Sequence, residues 1–435
     1  MATVSIGTVL MAIDIALPSI ALPSMARSLH LESSTAVQLM TVYQLILVMT
    51  LLPVAALGER LGYRTIYIGG ITLFSIGGVL CYFAPTFQLL LLARGLQALG
   101  ASATTSVTTA IIRSIFPDSH LGRALAAHSV VVSTANAFAP ALGGLIVAWF
   151  DWRMVFIVGV PLAVIALLCS SVLPPSVRRE IPFDWTAALL CAMAFGSVAG
   201  GLELLVHSPL TLISLLVLGL GAAVAFFFVR RELSQPEPIL PLDLIRQRVI
   251  ALSVTGSFLA FNAAMIITVT MPFRLAHEFG FTPGQIGTLM APWPLMIMIA
   301  SPIAAILSDR IEPALLGGFG MAASVVGVLT LFFLPAAPDW IDISWRMALS
   351  GIGFAFFTQP NARLILKSAP RHRTASAGGL TSTTRLTGQV LGSSLAAGLL
   401  AFGALGSQWA PLVAAAMCLV ASVCSFARRS SPAAG

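Results

Sequence analysis

The sequence Met11-Ala-Ile-Asp-Ile-Ala-Leu-Pro-Ser-Ile-Ala-Leu-Pro23 decides the fold class, because it places a carboxylate, Asp14, inside the apolar run from Met1 to Leu22. A helix that starts near residue 2 reaches Asp14 after about 18 Å, near the centre of a hydrocarbon layer about 30 Å thick. A charge at that depth costs at least about 2.5–3.5 kcal/mol, so an intramembrane acid predicts ion or substrate movement. The alternative is that Asp14 is protonated, or paired with a buried hydroxyl or arginine, purely to fix packing.

Composition places the whole chain in a membrane. Of its 435 residues, 58% are hydrophobic and only 9% are charged, whereas a soluble domain carries about 25% charged residues. Apolar runs long enough to span a bilayer recur almost end to end, and no cleavage site follows the first run. We predict fourteen spans, at about 2–24, 36–57, 64–84, 87–112, 122–148, 153–173, 185–206, 209–229, 249–273, 283–307, 314–335, 343–362, 374–402 and 409–427.

The basic residues indicate topology rather than a nucleic-acid partner. Most of the 23 Lys and Arg residues lie on one set of alternate loops and on the C-terminal tail, as in Arg178-Arg179, Arg230-Arg231 and Arg428-Arg429. The positive-inside rule makes those loops cytoplasmic. We therefore expect a multi-pass protein of the bacterial cytoplasmic (inner) membrane, with both termini in the cytoplasm and no nucleic-acid partner.

Motifs of enzymes and metal sites are missing from the sequence. The five cysteines lie in apolar runs, with no CxxC pair and no histidine at ligand spacing, so we expect no disulfide, metal or cofactor. The single lysine, Lys367, follows no glycine-rich nucleotide loop. We therefore expect no enzyme activity, and any transport must draw on an ion gradient or on the solute itself.

A short cytoplasmic turn after the second span carries the first family motif. The stretch Ala55-Ala-Leu-Gly-Glu-Arg-Leu-Gly-Tyr-Arg64 resembles the major facilitator loop signature G-x-L-[GA]-D-R-x-G-R-[KR]. The matching positions are Glu59, Arg60, Gly62 and Arg64. The resemblance implies a charged gating latch, and Ala305-Ile-Leu-Ser-Asp-Arg310 repeats it weakly with Asp309 and Arg310. The alternative is an ordinary solvated turn.

The fourth and fifth spans add two further signatures. Arg94-Gly-Leu-Gln-Ala-Leu-Gly-Ala101 resembles R-x-x-Q-G-x-G-A, which implies that Arg94 assists proton transfer at Asp14. The alternative for Arg94 is snorkelling toward the headgroups. In the fifth span, Pro140 and Gly143 fall in the antiporter signature G-x8-G-x3-G-P-x2-G-G, although alanines replace its first three glycines. Candidate cavity side chains here are Gln97, His128 and Asn136, and a packing role is open for the last two.

The second half of the chain offers an apolar cavity wall. Pro292-Trp-Pro294 breaks the tenth span, and its indole could stack on an organic cation or simply pack in the core. The candidates on this side are Asn262, Trp293, Phe357 and Gln359. Arg385 in the thirteenth span is a gate contact or a snorkelling residue. Major facilitators that move divalent cations often carry a second membrane acid in this half, so the resemblance and the lack of acids in spans nine to fourteen together imply monovalent or neutral lipophilic substrates.

The order of these motifs resembles the fourteen-span drug:proton antiporter branch of the major facilitators. Asp151-Trp-Arg-Met-Val-Phe-Ile-Val-Gly-Val-Pro161 is a further match, and the resemblance covers essentially the whole chain. It implies an all-α integral membrane protein with the major facilitator fold: two six-helix bundles (1–175 and 236–435) and an inserted two-helix hairpin with linkers (176–235).

The implied function is export of lipophilic, cationic drugs or toxic compounds by alternating access, coupled to proton entry. The implied partners are a small-molecule substrate, protons and the lipid bilayer, and the chain is expected to be monomeric. One alternative is a proton-linked exporter of a single dedicated metabolite or lipid. Another is a membrane sensor or scaffold that moves no solute.

Overall fold

The chain folds into helices in every part that the structure describes. The structure is a computed structural model and describes residues 2–116, 118–173, 184–207, 212–232, 242–369 and 374–429. These ranges contain α-helices, two short 3₁₀ turns and no strand. The all-helical class predicted from composition is confirmed.

The described residues contain sixteen α-helices, numbered in chain order. They are α1 (Ala2–Ser28), α2 (Ser33–Leu61), α3 (Tyr63–Phe83), α4 (Phe87–Ile115), α5 (Asp118–Trp149), α6 (Met154–Ile157), α7 (Val160–Cys169), α8 (Trp185–His207), α9 (Leu212–Glu232), α10 (Arg248–His277), α11 (Pro283–Met290), α12 (Pro292–Leu307), α13 (Pro313–Phe332), α14 (Trp340–Ser368), α15 (Thr374–Ala401) and α16 (Gly403–Ala427).

Every predicted span coincides with one helix or with two consecutive helices. Within the described ranges, nine candidate spans are long and apolar enough to cross a membrane. The break predicted at Pro292-Trp-Pro294 is present, because α11 ends at Met290 and α12 begins at Pro292. The total of fourteen crossings stays a prediction.

Several helix ends differ from the predicted ones, because hydropathy marks the hydrocarbon layer while capping groups end the helices. The fourteenth span was placed too late, since α16 already begins at Gly403. The helix that contains the twelfth span begins before it, since a capping box between Asp339 and Asp342 starts α14 at Trp340. The sixth span is divided between α6 and α7.

Two compact units divide the chain, Met1–Ala225 and Phe226–Gly435. In the first, α4 packs against α2 and α3, and α1 packs against α5; in the second, α10 packs against α15 and α16, and α14 against α12 and α13. The three-part division at 175 and 235 stays a prediction. The linker residues Arg178 and Arg179 and residues 209–211 of the eighth predicted span lie outside the described ranges.

Glycine brings α3 and α4 together closely enough for backbone to meet backbone. A Cβ atom at Gly100 of α4 would lie 2.3 Å from the Phe74 nitrogen and 2.5 Å from the Gly70 carbonyl oxygen on α3. A Cβ atom at Gly77 would lie 2.6 Å from the Gln97 nitrogen. Because backbone cannot rotate away as a side chain can, only glycine fits these positions without a shift of the two helices.

The Gly100→Ala substitution is therefore expected to destabilise the protein by about 1–3 kcal/mol through overpacking. The matched control is Gly69→Ala on α3, where a new Cβ meets no atom within 4 Å. Both changes gain the same helix propensity, so their difference isolates the packing term. Thermal unfolding in detergent should show a clear fall in Tm for Gly100→Ala and none for Gly69→Ala; equal Tm values would contradict the close approach.

Candidate functional site

A buried ion pair joins α1 to α4 in the first unit. Asp14, midway along α1, is 4% exposed and Arg94, about two turns into α4, is 0% exposed. The Nη1 atom of Arg94 donates to both carboxylate oxygens of Asp14 at 2.9 Å. Its Nη2 atom donates to the backbone carbonyl of Asp14 at 3.0 Å. Arg94 thus holds both the side chain and the backbone of Asp14.

Gln97 completes the hydrogen bonding of this ion pair. It lies three residues after Arg94 and therefore on the same helix face. Its Oε1 atom accepts from Arg94 Nη1 at 2.7 Å, and its Nε2 atom donates to Asp14 Oδ1 at 3.1 Å. Gln97 is a predicted cavity residue, and the structure brings it into contact with both charges. Its role toward substrate stays a prediction.

Two aromatic rings and a thiol surround the guanidinium of Arg94. Its Cζ atom lies 3.9 Å from the ring centroid of Tyr43 and 5.6 Å from that of Phe156. Cys81 lies 3.9 Å from the Gln97 Oε1 atom. These residues were not predicted from the sequence as site residues, although Tyr43 interrupts an apolar span with a polar group. Ring faces attract a cation, so they add to the stabilisation of the buried guanidinium.

The two opposite charges of the site balance each other, so the site is sensitive to the loss of either charge. Asp14 and Arg94 carry opposite charges and are nearly inaccessible, so each is stabilised chiefly by the other. Loss of one partner would leave the other charge buried and uncompensated, which typically costs about 3–5 kcal/mol. A proton added to Asp14 would have the same electrostatic consequence, and the arrangement can therefore transmit a protonation event to α4.

The latch residues of the first unit lie where α2 turns into α3. Glu59 and Arg60 belong to the last turn of α2, and Gly62 alone connects the two helices. The φ angle of Gly62 is 99°, in the region that favours glycine, which accounts for glycine at this motif position. Arg64, in the first turn of α3, donates from Nη2 to the Ser171 carbonyl at 3.3 Å.

The motif residues of α5 contact α1 close to the ion pair. A Cβ atom at Gly143 would lie 3.1 Å from Leu17 Cδ2, and Leu17 follows Asp14 by three residues on α1. Pro140 lies one turn earlier within α5. Asn136 donates to the carbonyl four residues before it at 3.1 Å, and His128 has a buried Nδ1 atom with no hydrogen-bond partner among the described residues.

The cavity candidates of the second unit lie on three helices. Asn262 on α10 is 2% exposed, and its Oδ1 atom has no hydrogen-bond partner within the described ranges. Trp293 on α12 contacts Phe354 on α14, with ring centroids 5.4 Å apart. Phe357 is fully buried beside Gly256 and Gly317, whereas Gln359 is partly exposed.

The gate candidates of the second unit lie in two places, just after the end of α12 and within α15. Asp309 forms an ion pair with Arg363 of α14, and the neighbouring Arg310 is exposed. Arg385 lies within α15 and is partly buried. Their gating role stays a prediction.

Comparison with known proteins identifies the family. Residues 4–252 and 252–435 match the profile of the Major Facilitator Superfamily. The chain belongs to this superfamily. It is 36% identical to the uncharacterized transporter YebQ of Escherichia coli strain K12, across 99% of this chain and 95% of that protein. The methyl viologen resistance protein SmvA of Salmonella typhimurium is 28% identical across 88% of this chain and 78% of its own length.

A third relative and one solved structure agree with that assignment. The riboflavin transporter RibZ of Clostridioides difficile is 27% identical, across 90% of this chain and 85% of that protein. The crystal structure of a bacterial homologue of the human lysosomal transporter Spinster shares the fold, with a TM-score of 0.69 and 17% identity over 99% of this chain and 98% of that chain. This major facilitator is accordingly an integral membrane transporter.

A double-mutant cycle tests the energetic coupling of the buried pair. Asp14→Asn and Arg94→Gln should each lower the Tm of the purified protein, because each leaves one buried charge unbalanced. The combined variant should recover much of the loss, since no charge is then left unbalanced. Thermal unfolding in detergent measures all four proteins. Strictly additive losses would mean that the two side chains do not interact.

Proposed function

We propose that this major facilitator is a proton-coupled antiporter that exports lipophilic organic compounds, cationic drugs among them, by alternating access. The observation that carries the proposal is the nearly inaccessible Asp14 carboxylate, held by Arg94 and Gln97 inside an apolar helix. An acid in the middle of a span is costly and indicates ion or proton movement. The relative named for methyl viologen resistance supports an efflux role.

Protonation of Asp14 is the proposed coupling step. In the deprotonated state the carboxylate balances Arg94 and can attract a cationic substrate. A proton from outside neutralises the carboxylate, which weakens the hold on the cation and frees Arg94 to change its partners. When the site opens to the cytoplasm the proton leaves, and a new substrate competes for the carboxylate. Only a difference in affinity between the two states can drive this cycle.

The remaining residues receive proposed roles by their positions. Gly62, Pro140 and Gly143 would set the helix contacts that change during transport. The charged residues proposed for the gates are Glu59, Arg60, Arg64, Asp309, Arg310 and Arg385. The residues proposed to contact substrate are Gln97, His128, Asn136, Asn262, Trp293, Phe357 and Gln359. We further propose fourteen spans in the bacterial cytoplasmic membrane, both termini in the cytoplasm, and a monomer.

A second candidate is proton-linked export of one dedicated metabolite. The relative named as a riboflavin transporter favours it, since that name specifies a single organic metabolite. The two candidates differ in breadth: a drug exporter protects cells against several unrelated lipophilic compounds, whereas a dedicated exporter protects against one. Growth of expressing cells across a panel of such compounds separates them.

Ethidium transport into energised inverted membrane vesicles tests the coupling residue. The wild type should accumulate ethidium when the vesicle interior is acidified, and an uncoupler should abolish the accumulation. Asp14→Asn should reduce the rate at least tenfold at near-normal expression and membrane insertion.

The matched control is Asp151→Asn, because Asp151 is a half-exposed partner in a surface ion pair with Arg153. This variant should transport like the wild type. Uncoupler-sensitive accumulation that persists in Asp14→Asn would place the coupling group elsewhere.

A further inference from the structure

Near the contact between α10 and α15 in the second unit, two polar groups have no partner among the described residues. The Oδ1 atom of Asn262 is buried and accepts no hydrogen bond from the described residues. Arg385 is partly buried, and it forms no hydrogen bond or ion pair within the described ranges. An unpaired buried acceptor and an unbalanced charge within a span are both unfavourable. Neither group has a hydrogen-bond partner among the described residues, and a bound compound would supply one.

The two groups lie near each other because glycine allows α15 to approach α10. A Cβ atom at Gly392 would lie 2.6 Å from the carbonyl oxygen of Asn262, and one at Gly388 would lie 3.2 Å from Phe261 Cβ. Arg385 precedes Gly388 by three residues, so it lies on the same face of α15, one helical turn away. A Cβ atom at Gly388 would also lie 3.4 Å from the Asn262 nitrogen, so Arg385 lies about one helical turn from the point where α15 meets Asn262.

Three aromatic rings, from α10, α12 and α14, contact one another next to Asn262 in the chain and across the helices. The ring centroids of Phe261 and Phe354 are 5.3 Å apart, and those of Phe354 and Trp293 are 5.4 Å apart. We call these residues the aromatic wall. Phe261 and Trp293 are partly exposed, and Phe261 directly precedes Asn262 on α10. These rings meet edge-to-face or tilted, with interplanar angles of 85° and 51°, and together they form an apolar surface beside Asn262.

We propose that Arg385, Asn262 and the aromatic wall form a substrate subsite for a flat heteroaromatic compound whose edge carries a carbonyl next to an N–H group. This inference rests on the proposed transport function, adds the chemical class of the substrate and assigns Arg385 to substrate contact instead of to a gate. Arg385 donates to the carbonyl oxygen, Asn262 Oδ1 accepts from the N–H, and the ring packs on the aromatic wall. A compound whose ring edge carries only hydrogen-bond donors can form no hydrogen bond with Arg385, which has no acceptor. A positively charged compound is repelled by the guanidinium.

Lumiflavin is a suitable probe, because it is a fluorescent flat ring with an imide edge. Its binding to the purified protein in detergent is followed by the quenching of its fluorescence. Arg385→Gln and Asn262→Leu should each weaken binding at least tenfold, about 1.4 kcal/mol. The matched control is Arg429→Gln, because Arg429 is 63% exposed and pairs with Glu312; it should bind within twofold of the wild type.

Several results would overturn the subsite. They are a wild type that does not bind lumiflavin, variants that bind it as well as the wild type does, or an equal loss in the control. Gel filtration establishes that each variant is folded; if Arg385→Gln is not, Asn262→Leu and Arg385→Lys carry the test, with weaker binding again expected. Ethidium transport in the same variants separates the two proposals. Proton-linked ethidium transport without lumiflavin binding overturns only the subsite, and lumiflavin binding without ethidium transport overturns only the drug antiporter.

Discussion

The ion pair between Asp14 and Arg94 is the constraint on which the first unit depends, because it joins residues 80 positions apart across two apolar helices. Gln97 forms hydrogen bonds with both charged side chains, and its own position depends on the glycine contact between α3 and α4. A Cβ atom at Gly77 would displace the Gln97 backbone, and one at Gly78 would lie 3.3 Å from Gln97 Nε2. The close packing of α3 against α4 therefore also determines where Gln97 can hydrogen-bond to the ion pair.

A buried ion pair is weak evidence for stability, since desolvation offsets much of the attraction. A protein that needed only a packed interior would be served as well by apolar side chains, so a functional role accounts better for the pair. The buried arginines of the second unit have partners of a different kind or position. Arg274 pairs with Glu278 at one end of α10, and Arg428 is held by the neutral acceptors Ser253 and Asn361. Among the residues whose burial the structure describes, Asp14 is the only nearly inaccessible acid in the middle of a helix.

Hydropathy and motif spacing predicted the helical class and both charged residues of the site, because an isolated charge in an apolar run is visible in sequence. Their pairing was not derivable from the residues alone, since periodicity does not specify how two helices are rotated against each other. Tyr43 and Cys81 were missed because both are ordinary residues within apolar spans. Phe357 is fully buried against glycines of neighbouring helices, and hydropathy could not predict this contact because it depends on the packing of distant segments.

Proton release on substrate binding tests the central claim most directly, because it observes the proposed exchange at Asp14 without a membrane or a gradient. Ethidium is added to purified protein in weakly buffered detergent solution, and a pH-sensitive dye reports the protons released. The account predicts release from the wild type and from Asp151→Asn, with none from Asp14→Asn. Equal release from Asp14→Asn, or ethidium binding by the wild type across the pH range with no release, would contradict it.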